Sequence, residues 1–176
     1  MGSYMNFLFN PNGRVSRKDI WIKFFLVSAL VNIVAGALDL AMGFVVVEWF
    51  GLAVSLFYFW PSIAVPVKRF HDRGMTGWWV LFGYIGMTAG LLIMLSPILP
   101  SMIDALETGG VWDEGALQVA FSTGSNLAFL IVGMLIIFGV LLFFFIVNYC
   151  LPGHEGVNKY GPDPLNPLGD TADAFN

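Results

Sequence analysis

Lys68-Arg69-Phe70-His71-Asp72-Arg73-Gly74-Met75-Thr76-Gly77-Trp78-Trp79 is the stretch that decides the fold. It opens with clustered cations, and on either side of them positive charge vanishes. Residues 24–67 contain no Lys or Arg, and neither do residues 74–158. The other basic residues are Arg14, Arg17, Lys18 and Lys23, at the head of the first apolar run, and Lys159, beyond the last. In a polytopic membrane protein, Lys and Arg collect in the connections on the cytoplasmic side. The pattern therefore predicts four membrane spans. Residues 1–19, 69–76 and 150–176 lie inside, with Glu48 and residues 101–125 outside.

Composition agrees. The chain of 176 residues is 57% hydrophobic and 11% charged, against about 45–50% and about 25% in a soluble domain. One soluble core cannot hide so much Phe, Leu, Ile and Val, so the bilayer must solvate much of it. The expectation is a single membrane domain, residues 1–176: an all-α, four-transmembrane-helix bundle with both termini cytoplasmic. The acids Asp104, Glu107, Asp113 and Glu114 crowd one loop opposite the cations. The basic patch is small and membrane-proximal, so nucleic acid is not an expected partner. Cys150 is the only cysteine and cannot form an intramolecular disulfide.

A hydrocarbon core of about 30 Å takes about 20 helical residues. The spans fall near 20–42, 48–68, 77–98 and 126–149, followed by a tail, 150–176. Asp19 is the candidate N-cap of the first span, Trp21 its interfacial anchor, and Lys23 snorkels back to the headgroups. The basic start and Ala35-Gly36-Ala37 mimic a cleavable leader, but the segment is expected to stay as the first span. Asn6 stands where N-myristoylation requires Ser or Thr. Pro61 should kink the second span, as a packing adjustment. Gly86 and Gly90 form a small-xxx-small pair that suits either a dimer face or an internal helix contact. The loop at 101–125 should be partly helical, lying on the outer surface. Asp39 is expected at the outer interface, and Asn32 bonded to a neighbouring helix. No Glu, His, Lys or Arg occupies a mid-span position, so proton-coupled transport lacks its usual groups.

Three motifs should meet on the inner side. They are Gly13-Arg14-Val15-Ser16-Arg17-Lys18-Asp19-Ile20-Trp21, the 68–79 stretch, and Gly156-Val157-Asn158-Lys159-Tyr160-Gly161-Pro162-Asp163-Pro164. In this order and spacing they resemble the YhaH/YhaI-like family of small bacterial inner-membrane proteins, a domain of unknown function. The likeness runs from about Phe7 to Pro164. Lys68 stands where the family has the first of two arginines, keeping the charge but losing the bidentate fork. The resemblance implies a multi-pass protein of the bacterial inner (plasma) membrane and implies no activity.

Arg14, Arg17, Lys68, Arg69, Arg73 and Lys159 can present donors to an anion such as a phosphate headgroup. His71, Asp72, Asn158, Tyr160 and Asp163 form a candidate structural polar cluster, with pairs such as Arg14–Asp72 locking the termini to the central loop. A plainer reading needs only topogenic charge, Gly74 and Gly77 as turn formers, and Trp78 and Trp79 as anchors. His71, His154, Asp72 and Asp163 lack metal-ligand spacing. Adjacent His71 and Asp72 rarely aim at one point, so neither a metal, a cofactor nor a catalytic pair is expected. The function expected is non-enzymatic: a scaffold, assembly or regulatory partner whose basic face binds anionic lipid. Its partners would be membrane lipids, a second copy or another membrane protein. The alternatives are a subunit of an oligomeric transporter or channel, and a membrane enzyme acting on a phosphorylated lipid.

Overall fold

Charge and hydropathy dictate long helices, and the computed structural model, which describes residues 2–43, 48–108 and 124–166, consists of them. The elements are α1 (Gly2–Phe9), α2 (Arg17–Ala41), α3 (Trp49–Asp72), α4 (Trp78–Leu95), α5 (Leu99–Thr108) and α6 (Gly124–Phe145), the last continuing as a π-helical turn, Ile146–Cys150. The described residues include no strand, only an isolated bridge between Asn158 and Gly161. Four helices are long and apolar enough to cross a membrane: Arg17–Ala41, Trp49–Asp72, Trp78–Leu95 and Asn126–Cys150. These match the four predicted spans to within a few residues. The described start of the acidic loop, up to Thr108, is helical and belongs to α5; residues 109–123, with Asp113 and Glu114, lie outside the described residues.

Ser16, not Asp19, caps α2. The Asp19 amide donates to Ser16 Oγ at 3.1 Å, and the Ser16 hydroxyl donates to Asp19 Oδ2 at 2.9 Å. A Ser three residues ahead of an acid is a capping pair, and it moves the helix start earlier than the apolar run suggests. Lys23 Nζ pairs back with Asp19 at 2.7 Å, one turn away. The first turns of α2, Ile20–Leu26, are π-helical.

Asp39 corrects a second expectation. It is buried, and its carboxylate accepts from the amides of Phe50 at 2.9 Å and Gly51 at 2.8 Å. It therefore satisfies two of the orphan donors at the start of α3 and fixes the turn between the first two spans. Asn32 bonds its own helix rather than a neighbour, donating to the Ser28 carbonyl at 2.8 Å. α3 is interrupted at Trp60, where Pro61 becomes the first residue of the second segment, since proline cannot donate to the preceding turn.

Two compact units are formed. One combines the chain up to Val80 with the chain from Phe145 onward; the other is Leu81–Phe144. Within the second unit, α4 and α6 approach closely through their glycines. A Cβ on Gly90 would stand 3.1 Å from the Gly133 carbonyl oxygen, and one on Gly86 would stand 2.9 Å from Val140 Cγ2. The glycine pair thus serves an internal contact.

Candidate functional site

The first unit carries all three motifs, and they interlock around Arg69 and Asp72. α3 ends beneath them in a Schellman turn. The amide of Met75 donates to Phe70 O at 2.9 Å and that of Gly74 to His71 O at 2.9 Å. Gly74 has φ +72°, a conformation that favours glycine at this position. The turn holds Arg69, His71, Asp72 and Arg73 at one level.

Arg69 is fully buried. Its Nε donates to the Asn148 carbonyl at 3.2 Å, one Nη to Val15 O at 3.4 Å and to Asp72 Oδ2, and the other Nη to Leu151 O. Arg17 donates to Cys150 O at 2.8 Å, and the Trp21 indole to Tyr149 O at 3.2 Å. The carbonyls of residues 148–151 at the end of α6 are thus taken by side chains from the other two motifs. A helix C-terminus leaves its last carbonyls orphaned, and cations there are favoured by the helix dipole. The last turn of α6 has no basic residue of its own, so the donors come from elsewhere in the chain.

Arg14 completes the centre. Its side chain is 1% exposed, and its Nε meets Asp72 Oδ1 at 3.0 Å. Its two Nη groups donate to the carbonyls of Gly156, Gly161 and His154. The expected Arg14–Asp72 pair is therefore present, but Asp72 is shared with Arg69. The tail is held as well. The His154 amide donates to Asp72 O at 2.8 Å, and Asn158 Nδ2 to His71 O at 3.0 Å. Tyr160 stacks flat on the His71 ring, centroids 3.8 Å apart and planes 7° from parallel. Any Cβ on Gly153 would strike the Asp72 carboxylate, so the tail passes where only glycine fits.

The other predicted site residues have separate fates. Lys68 is buried, donating to the Phe7 carbonyl and lying 4.9 Å from the Phe7 ring centroid. His71 Nδ1 is 3.3 Å from the Gly13 carbonyl oxygen. Asp163 pairs with no arginine among the described residues; it accepts from the amides of Leu165 at 2.9 Å and Gly156 at 3.2 Å. The Leu165 amide holds its carboxyl below the usual range; slight burial opposes this, while the Gly156 amide and Arg14 reinforce it. Arg17 and Lys159 are exposed and Arg73 half-exposed. The Arg73 Nε finds no acceptor among the described residues.

A cavity of about 130 Å³ opens beside this centre, lined by Ser16, Arg17, Arg69, Asp72, His154 and Asp163 among others. His71 is not in its wall. No group of three or more His, Cys, Asp or Glu among the described residues is placed to hold a metal. Sequence reasoning missed α1, whose short length hid it, and Asn148, Gly153 and Leu151, whose parts are played by backbone or by absence of a side chain.

Comparison with known proteins supplies a frame. The family described as "Protein of unknown function (DUF805)" matches residues 8–162. The inner membrane protein YhaH of Escherichia coli K12 is 31% identical over 86 residues, covering 47% of this chain and 70% of that protein. The inner membrane protein YhaI of the same strain is 26% identical over 84 residues, with 48% and 70% covered. The uncharacterized protein YiiR is 30% identical over 158 residues, 89% of this chain and 86% of that one. No solved structure matches.

Proposed function

This chain belongs to the DUF805 family, a membrane-protein family of unknown function, and we propose that it acts by interaction rather than by catalysis. In this reading it is an integral inner-membrane protein, a scaffold, assembly or regulatory partner, with both termini cytoplasmic. Its interlocked face binds anionic lipid headgroups through Arg17, Arg73 and Lys159.

One observation carries the reading: the polar groups that would do chemistry are committed to the fold. Asp72 is doubly ion-paired, His71 is covered by Tyr160, and Asp163 folds its own turn. Arg14, Lys68 and Arg69 are likewise spent on carbonyls of the chain. What remains for a partner is an outward cationic rim on a locked platform, and phosphate contacts from Arg and Lys suit it. The Asp72–Asp163 cavity also matches part of what a lipid enzyme would need, but Asp72 and Asp163 are engaged and His71 stands outside it.

The test is lipid copurification in mild detergent, read by native mass spectrometry with added phosphatidylglycerol. Arg17→Glu combined with Lys159→Glu should reduce bound anionic lipid several-fold, and Lys159→Glu alone, at an exposed residue, should lower it in part with the melting temperature nearly unchanged. Undiminished lipid binding in the double variant would overturn the headgroup reading.

A further inference from the structure

α1 is eight residues of mostly apolar sequence, and its partners lie far along the second span. The Phe9 ring meets Phe57 edge-on at 5.4 Å, and the Phe9 carbonyl accepts from the Trp60 indole at 2.7 Å. At about 1.5 Å per residue, Trp60 is about 18 Å along α3 from Asp72 and about 16 Å from Trp49. It is therefore near the midpoint of a helix that is long and apolar enough to span. The other end of α1 is anchored to the first span: the Tyr4 hydroxyl donates to Lys23 O at 2.8 Å. Leu8 is buried with Ile20 and Val65 between the two spans.

The polar groups toward the C-terminal end of α1 find partners within the protein. A short helix in water leaves its last carbonyls to solvent. Here Lys68 takes the Phe7 carbonyl and Trp60 the Phe9 carbonyl. Asn6 Oδ1 accepts from Asn10 Nδ2 at 3.1 Å, and Asn10 Oδ1 accepts from the Asn12 amide at 2.9 Å. That is the condition hydrocarbon imposes on any backbone within it. If α1 stood in water, the membrane boundary would have to fall beyond Trp60. Only about 16 Å of α3 would then remain, half the roughly 30 Å required.

We infer that α1 is inserted in the bilayer, in the leaflet adjoining the Arg14–Asp72 layer, with that leaflet's acyl chains covering its outer side. Residues 10–13 then carry the chain back to that layer. This places residues 4–9 in lipid, where the charge pattern alone put all of 1–19 in water. Lys68 acts as the buried cap on the C-terminal end of this half-inserted helix, which explains a lysine with almost no exposure on an apolar face.

Spin-label depth measurement in proteoliposomes tests this. In a Cys150→Ser background, Met5→Cys places a label on a half-exposed residue of α1, with Asn12→Cys and Lys18→Cys as aqueous references. The Met5 label should collide more with oxygen than with a water-soluble nickel chelate, by several-fold relative to Lys18. A nickel accessibility at position 5 equal to that at 18 overturns the insertion. In the unlabelled full-length protein in nanodiscs, the amides of residues 4–9 should exchange as slowly as those of α3; fast exchange overturns it independently. Neither readout depends on which lipid headgroup the face binds.

Discussion

Asp72 accepts from two guanidinium groups whose side chains are 0–1% exposed, so its charge has no cheap substitute. Asp72→Asn leaves Arg14 and Arg69 buried without their anion, and loss of one partner of a buried pair costs about 3–5 kcal/mol. The variant should melt well below the parent in detergent. Arg69→Lys should fail to keep the parent's stability, because an ammonium on a flexible stem cannot serve carbonyls at 148 and 151 and a carboxylate together. A melting temperature within 2 °C of the parent for either variant, on the order of what a neutral surface change gives, would contradict this account. The Arg14–Asp72 pair was legible in the sequence because both motifs flank spans and are confined to one layer. The work of Arg69 was not, since its acceptors are mostly backbone carbonyls, which carry no residue identity. That is why Arg69 read as a headgroup ligand when the groups left outward are Arg17, Arg73 and Lys159. Asp39 misled for a related reason: its partners are the amides of Phe50 and Gly51.

The docked tail is the element on which the platform depends, and a stack and a turn add to the bonds that Arg14, Asn158 and the His154 amide make in holding it. Tyr160→Phe keeps the flat contact with His71, while Tyr160→Ala removes an aromatic pair worth about 0.5–1.5 kcal/mol. The turn adds a pH dependence. The Asp163 carboxyl titrates below its ordinary value in the fold, chiefly because the Leu165 amide donates to it. A depressed carboxylate contributes stability above its unfolded pKa, near 3.9, and loses it as pH falls through the folded value. The tail should therefore resist protease at neutral pH and become cleavable below about pH 4; in Asp163→Asn it should be more readily cleaved at neutral pH too. Equal cleavage of parent and Asp163→Asn at pH 7 would remove Asp163 from the account. Among the elements, the four long helices and the interruption next to Pro61 could be read from hydropathy and proline alone. α1 could not: eight residues are too few for periodicity to speak, and its stability comes from packing against two spans.

Class and sidedness come from different evidence at the scale of the whole molecule. Four helices of spanning length and relatives named as inner membrane proteins establish a membrane protein. Sidedness rests on charge: every Lys and Arg lies within 14–23, 68–73 or at 159, and insertion orients such segments toward the cytoplasm. The interlocked site sharpens the expectation. Residues 14–21, 68–73 and 148–163 make one connected set of hydrogen bonds, so they must share a side, and an even number of spans separates each from the next. Labelling with a membrane-impermeant maleimide in intact cells, in a Cys150→Ser background, decides the side. Ser122→Cys, in the acidic loop and outside the described residues, should label strongly. Lys18→Cys, exposed beside the site, should label only after the membrane is opened. The reverse result would turn the whole platform outward and remove the cytoplasmic leaflet's anionic lipids as its partner, while the interlocked contacts themselves would stand.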